Sequence, residues 1–85
     1  MVEVKLLGTD CARCKQLQAV LDDIVGELGS DAVRVEKISD IATIASYGVL
    51  AVPALVVDGE VKSVGVVPSK KEILGWIEVA REGGE

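Results

Sequence analysis

Histidine is absent from this sequence of 85 residues. Its absence excludes hydrolases built on Ser-His-Asp or Cys-His groups, and it excludes every metal site with a histidine ligand. Aromatic residues make up only 2 %, so stacking on bases or sugars is excluded as the main activity. The net charge of −5 has the wrong sign for a nucleic-acid or anionic-membrane surface, and we expect neither as a partner.

A long hydrophobic run is also missing. The longest apolar stretch, 49–57, contains Pro53 and falls far short of the roughly 20 residues that span a bilayer. Glu3 and Lys5 occupy the region where a signal peptide would need an unbroken apolar stretch. We therefore expect a soluble, cytoplasmic protein. The length and the 49 % hydrophobic content predict a single domain, 1–85, with a frayed tail over 83–85.

The first half of the chain changes its hydrophobic period twice. Alternation over 2–7 predicts a strand, and apolar residues at helical spacing predict a helix from about 12 to 28. Gly29 stands where a left-handed cap would end that helix. A second alternating stretch, 33–38, predicts another strand. We expect Ser39 to cap a short helix that Gly48 closes. The apolar residues of this short helix are Ile41, Ile44 and Ala45.

The second half contains a hairpin signal and a capping signal. Asp58-Gly59 lies between two β-branched runs, which predicts strands near 54–57 and 60–66 joined by a two-residue turn. Ser69 and Glu72 have the spacing of a capping box at the start of a last helix. Trp76 lies on the apolar stripe of that helix and is expected in the core. Tyr47 is expected at the sheet edge.

The predicted order is β-α-β-α-β-β-α. A strand, a crossover helix and a second strand give a parallel, right-handed unit, and the hairpin adds an antiparallel pair to the same sheet. The sequence thus predicts an α/β fold with a four-stranded mixed sheet and helices on both faces. This order places Cys11 between the end of the first strand and the start of the first helix.

The two cysteines form a C-x-x-C motif, Cys11-Ala12-Arg13-Cys14, in this strand-to-helix context. A helical turn between them brings both sulfurs within bonding distance. The helix N-terminus favours a thiolate at Cys11, and Cys14 is expected to be less exposed and to react second. A structural disulfide is a weaker interpretation, because so short a loop contributes only about 2 kcal/mol. Metal binding and inert thiols are further alternatives.

Three charged residues flank Cys11. Arg13 and Lys15 would favour its thiolate, and Asp10 would oppose it. These side chains are expected to be exposed, so their effects partly cancel. The alternative for each is a solvated position in the first helical turn.

Pro53 interrupts an apolar strand pattern directly after Val52. Proline cannot donate a hydrogen bond to a sheet ladder, so the strand is expected to begin there. One interpretation is an ordinary trans proline. Because a dithiol lies upstream, we predict a cis Val52–Pro53 bond that faces it.

These motifs resemble the thioredoxin/glutaredoxin superfamily, and more closely its small thioredoxin-like "redox-active disulfide" proteins of archaea and bacteria. The similar segments are G-T-D-C-A-R-C-K, Y-G-V-L-A-V-P-A-L-V-V-D-G and V-G-V-V-P-S. The resemblance implies a thioredoxin fold, with Cys11 as nucleophile, Cys14 as resolving thiol and Pro53 as the cis-proline. It also implies that the backbone of Val52 pairs with a substrate chain.

The activity implied by the resemblance is reduction of protein disulfides by a monomer that needs no cofactor and is recycled by a separate reductase. The sequence departs from thioredoxins, which have Trp before the first cysteine and Gly-Pro between the two. Asp10 and Ala12-Arg13 occupy these positions here.

Two other functions share the C-x-x-C motif. Copper chaperones of ferredoxin-like fold place it similarly, but their order is βαββαβ, and they have Met where this chain has Thr9. A redox-sensing adaptor without turnover would have the same site as the enzyme.

Overall fold

The computed structural model describes residues 2–83. Its strands are β1 (Val2–Leu7), β2 (Val33–Ile38), β3 (Ala54–Val57) and β4 (Glu60–Val64). Its helices are α1 (Ala12–Leu28), α2 (Ile41–Ser46) and α3 (Lys70–Gly83). This is the predicted order of elements. The helix α3 includes Gly83, the first residue of the tail expected to fray, and residues 84 and 85 lie outside the described part.

The strands form one mixed sheet in the order β2-β1-β3-β4. β1 runs parallel to β2 and antiparallel to β3, and β4 is antiparallel to β3. The predicted mixed sheet is therefore confirmed, with β1 inside it. No helix of the described residues is long and apolar enough to cross a membrane.

Period-two alternation divides the apolar residues of the strands between two cores. On one face, Val4 and Leu6 pack with buried residues of α1 and α3 such as Leu21 and Ile77. On the other face, Leu7 packs with Ala54, Val56 and residues of the α2 region. Helices thus cover both faces, as predicted, and the second core is the smaller. Trp76 is only half-buried and packs at the margin of the larger core. On the apolar side of α3, the fully buried positions are those of Ile73 and Ile77, and Trp76 lies beside them.

The predicted cap of α2 is wrong by one residue. Asp40, not Ser39, is the N-cap, because its carboxylate accepts hydrogen bonds from the Thr43 backbone N–H at 3.0 Å and from Thr43 Oγ1 at 2.6 Å. Of the apolar residues assigned to this helix, Ile44 is buried, whereas Ile41 is 68 % exposed. The helix has only six residues, and Ile44 is the one residue of this helix that is buried in the core.

The hairpin and the capping box are confirmed. Asp58 and Gly59 have φ values of 48° and 81°, the positive angles of a type I′ turn. The Ser69 hydroxyl accepts from the Glu72 N–H at 3.2 Å, and the Glu72 carboxylate accepts from the Ser69 N–H at 3.2 Å. β4 ends two residues earlier than predicted. Gly65 has a φ of 75°, and its N–H donates to the Pro53 carbonyl at 2.8 Å, which turns the chain out of the strand.

Gly29 follows α1 with a positive φ of 89°. Its ψ of 149° is extended, so the residue is not in the left-handed helical conformation expected of this cap. Its N–H still donates to the Val25 carbonyl at 2.8 Å, so the last turn of the helix is closed.

Candidate active site

The two cysteines lie where β1 leads into α1. Cys11 is the N-cap of α1, with extended backbone angles of φ −70° and ψ 160°. Its Sγ accepts a hydrogen bond from the Cys14 backbone N–H at 3.1 Å, as a serine or aspartate oxygen does at other N-caps. One of the unpaired N–H groups of the helix start is thus directed at this sulfur. That N–H and the helix dipole both stabilise negative charge on Cys11.

Cys11 and Cys14 form a disulfide with a Cα–Cα distance of 5.0 Å. This separation is inside the usual range for disulfides, so the helical turn suits the bond without rearrangement of the backbone. The structure is therefore that of the oxidised site.

The two cysteine residues differ in exposure. Cys14 is 1 % exposed, whereas Cys11 is half-buried at the helix end. Cys11 is therefore the cysteine that a partner molecule can contact from solvent, whereas Cys14 is shielded from solvent. This geometry suits sequential exchange through two thiols.

Gly8 lies against Cys14, and Pro53 lies close to Gly8. The Val52–Pro53 peptide bond is cis, and Pro53 is buried at the start of β3. A Cβ placed on Gly8 would lie 2.9 Å from the Cys14 Sγ and 3.8 Å from the Pro53 Cα. The structure therefore brings Cys14, Gly8 and Pro53 together, with the half-buried Val52 next to them along the chain.

Gly8 is the residue that sequence reasoning missed. A glycine between a strand and a C-x-x-C motif is a usable signal, but it also fits an ordinary strand end. Only the packing of Cys14 against it distinguishes the two cases.

The charged residues near Cys11 have other contacts. Asp10, with its side chain 88 % exposed, forms an ion pair with Lys37 at 3.4 Å. The Arg13 Nη1 donates to the Gly65 carbonyl at 3.5 Å, which links the C-x-x-C turn to the segment after β4. Lys15 is exposed, and no ion pair within residues 2–83 involves it.

A second polar contact lies on the α2 face of the sheet. The Lys5 Nζ donates to the Tyr47 hydroxyl at 3.2 Å, and this hydrogen bond raises the pKa of Lys5 above its ordinary value. Tyr47 is half-buried and packs against the smaller core. In the part of the chain that the structure describes, no three Cys, Asp or Glu side chains cluster as ligands for a metal ion.

Known proteins are similar to this chain in sequence or in fold. The family model described as "Thioredoxin domain" matches residues 2–78. A thioredoxin of Methanothermobacter thermautotrophicus is 44 % identical over 73 residues, covering 86 % of this chain and 94 % of the relative. A thioredoxin of Methanocaldococcus jannaschii is 32 % identical over 83 residues, covering 98 % of this chain and 94 % of the relative.

A solved structure described as "Structure of a malarial protein" superposes with a TM-score of 0.75. It covers 92 % of this chain and 94 % of its own, at 13 % identity. This likeness concerns the fold alone.

Proposed function

Because this chain belongs to the thioredoxin family and is a thiol–disulfide oxidoreductase at the level of that family, we propose that it reduces disulfides in partner proteins. The observation that supports this proposal most directly is the asymmetry of the two sulfurs. Cys11 is half-buried at a helix N-terminus with an N–H directed at its Sγ, and Cys14 is buried beside it.

In the proposed reaction, the Cys11 thiolate attacks one sulfur of the substrate disulfide. A Cys11–substrate disulfide forms, and the other substrate sulfur leaves as a thiolate that takes up a proton. Cys14 then loses its proton and attacks the Cys11 Sγ, which releases the second substrate thiol. Two electrons have passed to the substrate, and the Cys11–Cys14 disulfide is the product. A separate reductase restores the dithiol, and no cofactor takes part in the exchange.

The substrate is proposed to lie along the segment before β3. Val52 is half-buried and precedes Pro53, which lies near Gly8 and Cys14, so its backbone is the proposed pairing site for an extended substrate chain. Arg13 supports this segment indirectly, since it bonds the Gly65 carbonyl while the Gly65 N–H bonds the Pro53 carbonyl. We propose that the protein acts as a monomer in the cytoplasm, with neither nucleic acid nor membrane as a partner.

Single cysteine variants test the mechanism, with insulin as the disulfide substrate and dithiothreitol as the reductant. Cys11→Ser should abolish reduction of insulin above the dithiothreitol background, because the attacking thiolate is lost. Cys14→Ser, reduced beforehand and mixed with insulin after removal of the dithiothreitol, should still attack but stall, so a covalent adduct accumulates that added dithiothreitol releases. The double variant is the control and should form no adduct. Normal turnover by Cys14→Ser would contradict the proposal.

A metal assay distinguishes the alternative function. The protein should convert reversibly between dithiol and disulfide, and metal analysis of protein purified without added metal should find no stoichiometric zinc or copper. A closed zinc site takes four ligands, and C-x-x-C supplies two. Stoichiometric metal that resists a chelator would favour the metal-binding function instead.

A further inference from the structure

Gly8 lies between β1 and the C-x-x-C turn, and its backbone has no need of glycine. It is not among the glycines with positive φ. Its N–H donates to the Ile38 carbonyl at 3.0 Å, so the residue is fixed to the end of β2. The reason for a glycine here must be the space that a side chain would occupy.

That space is filled by Cys14. A Cβ at residue 8 would lie 2.9 Å from the Cys14 Sγ and 3.4 Å from the Cys14 Cβ. Non-bonded carbon atoms prefer about 3.5–4.0 Å, and sulfur is larger than carbon, so the first contact is a clash. Gly8 cannot retreat easily, because Ile38 holds its N–H and the Pro53 Cα would lie 3.8 Å from the added carbon.

The clash differs between the two redox states. In the disulfide, the Cys14 Sγ is bonded to the Cys11 Sγ, so the Cys14 side chain cannot rotate away from residue 8. In the dithiol, that bond is broken, and the Cys14 side chain can turn about χ1 to another staggered position. A side chain at residue 8 should therefore destabilise the disulfide more than the dithiol.

We infer that Gly8 is a positioning residue that holds open the place of the Cys14 sulfur in the disulfide and thereby sets the reduction potential of the Cys11–Cys14 pair. The inference rests on the proposed function in one respect, since the potential matters to the cell only if the protein exchanges disulfides. The effect of residue 8 on the potential concerns the Cys11–Cys14 pair alone. It is independent of what substrate the protein reduces.

The test is the equilibrium of Gly8→Ala with dithiothreitol. The Cys11–Cys14 disulfide and reduced dithiothreitol exchange two electrons and two protons to give the protein dithiol and the cyclic dithiothreitol disulfide. We expect the equilibrium constant to shift about tenfold toward the protein dithiol, which makes the potential about 30 mV less negative. Thiol quantification after acid quenching measures the ratio.

Gly26→Ala is the matched control. Gly26 lies within α1, and a Cβ there would meet nothing within 4 Å. Its potential should equal that of the unchanged protein. An unchanged or more negative potential in Gly8→Ala would overturn the inference.

Unfolding experiments separate positioning from a general loss of stability. Gly8→Ala should destabilise the oxidised protein more than the reduced protein, and this difference should match the shift in potential. Equal losses in both states would overturn the inference.

In the Cys14→Ala background the sulfur is absent, so Gly8→Ala should lower the free energy of unfolding much less than in the oxidised protein. If Gly8→Ala does not fold in the oxidised state, folding of the reduced Gly8→Ala protein supports the inference, and failure of the reduced protein to fold overturns it.

The two proposals can fail separately. If the unchanged protein does not reduce insulin but Gly8→Ala shifts the potential, the proposed function is wrong and Gly8 still positions Cys14. If insulin is reduced and the potential does not shift, the inference about Gly8 alone is wrong.

Discussion

Cys11 and Cys14 have the same side chain and lie three positions apart, yet they meet different surroundings. Cys11 caps a helix and is partly exposed to solvent, whereas Cys14 is buried against Gly8, directly after β1. The spacing of the motif and its place before a helix were enough to predict that the two sulfurs lie within bonding distance. Gly8 could not be identified in that way, because its role depends on where the sulfur of Cys14 lies.

The difference in surroundings predicts a difference in reactivity. In the reduced protein at pH 7, Cys11 should react with iodoacetamide at least about tenfold faster than Cys14. The reason is that the Cys11 thiolate is better stabilised and more accessible. Peptide mass spectrometry of briefly alkylated samples measures the two rates. Unfolded protein in denaturant is the control, and there the two rates should approach each other. A faster reaction at Cys14 would reverse the proposed roles.

The charged neighbours of Cys11 show a limit of sequence reasoning at this scale. Asp10 was predicted to act on the thiolate, but its carboxylate also pairs with Lys37, which lies 27 positions away. A contact across that distance depends on β2 lying beside β1, so local spacing does not reveal it. The effect of Asp10, Arg13 and Lys15 on the thiolate stays a prediction.

At the scale of elements, the bounds of β1, α1, β2 and β3 were predictable because each has a clear period and an identifiable end. The short helix α2 was less predictable. Two adjacent residues, Ser39 and Asp40, are both good caps, and only the position of Thr43 decides between them. β4 was predicted too long because its end depends on the hydrogen bond between Gly65 and Pro53.

The cap of α2 gives a prediction with a matched control. Asp40→Ala should lower the melting temperature at pH 7 by about 4 °C, because the Thr43 N–H and hydroxyl lose their acceptor. Ser39→Ala removes the cap that the sequence favoured and should leave the melting temperature unchanged. Thermal unfolding followed by circular dichroism measures the melting temperatures of both variants. An effect of Ser39→Ala as large as that of Asp40→Ala would show that the cap is misassigned.

The same cap has a pH dependence. The hydrogen bonds from the Thr43 hydroxyl and from the Thr43 N–H hold the pKa of Asp40 below its ordinary value of 3.8. The ionised group therefore stabilises the folded state above pH 3.8, and this contribution is lost as the pH falls through the lower pKa of the folded state. The difference in melting temperature between the unchanged protein and Asp40→Ala should close over that range. A difference that stays constant with pH would show that the charge of Asp40 is unimportant.

At the scale of the whole molecule, a domain of this size has little stability in reserve. Folded proteins retain roughly 0.05–0.15 kcal/mol per residue, so single core contacts are a large fraction of the total. Leu21, a residue of α1, is fully buried in the larger core. The apolar stripe of α1, to which Leu21 belongs, could be predicted from the sequence. The division of the apolar residues into a large and a small core could not.

Leu21→Ala should lower the free energy of unfolding by about 2–5 kcal/mol, since it removes buried methyl groups and leaves a cavity. Val79→Ala is the matched control on another helix, because Val79 is 64 % exposed. That change should stay within about 0.5 kcal/mol. Urea unfolding of the oxidised proteins measures both. A cost for Val79→Ala close to that of Leu21→Ala would mean that Val79 is covered by another surface.

The position of β1 inside the sheet has a consequence for how the molecule fluctuates. β1 is hydrogen-bonded to β2 on one side and to β3 on the other, whereas β4 is an edge strand and α2 has a single buried residue. In deuterated solvent, amides of β1 should therefore exchange only on global unfolding, and amides of α2 and the outer side of β4 should exchange through local opening. Cys11 follows shortly after the end of β1, the strand whose amides we expect to exchange most slowly. Local opening of α2 and β4 would then leave Cys11 and Cys14 in place. The arrangement of the two cysteines would therefore persist while these peripheral elements open and close.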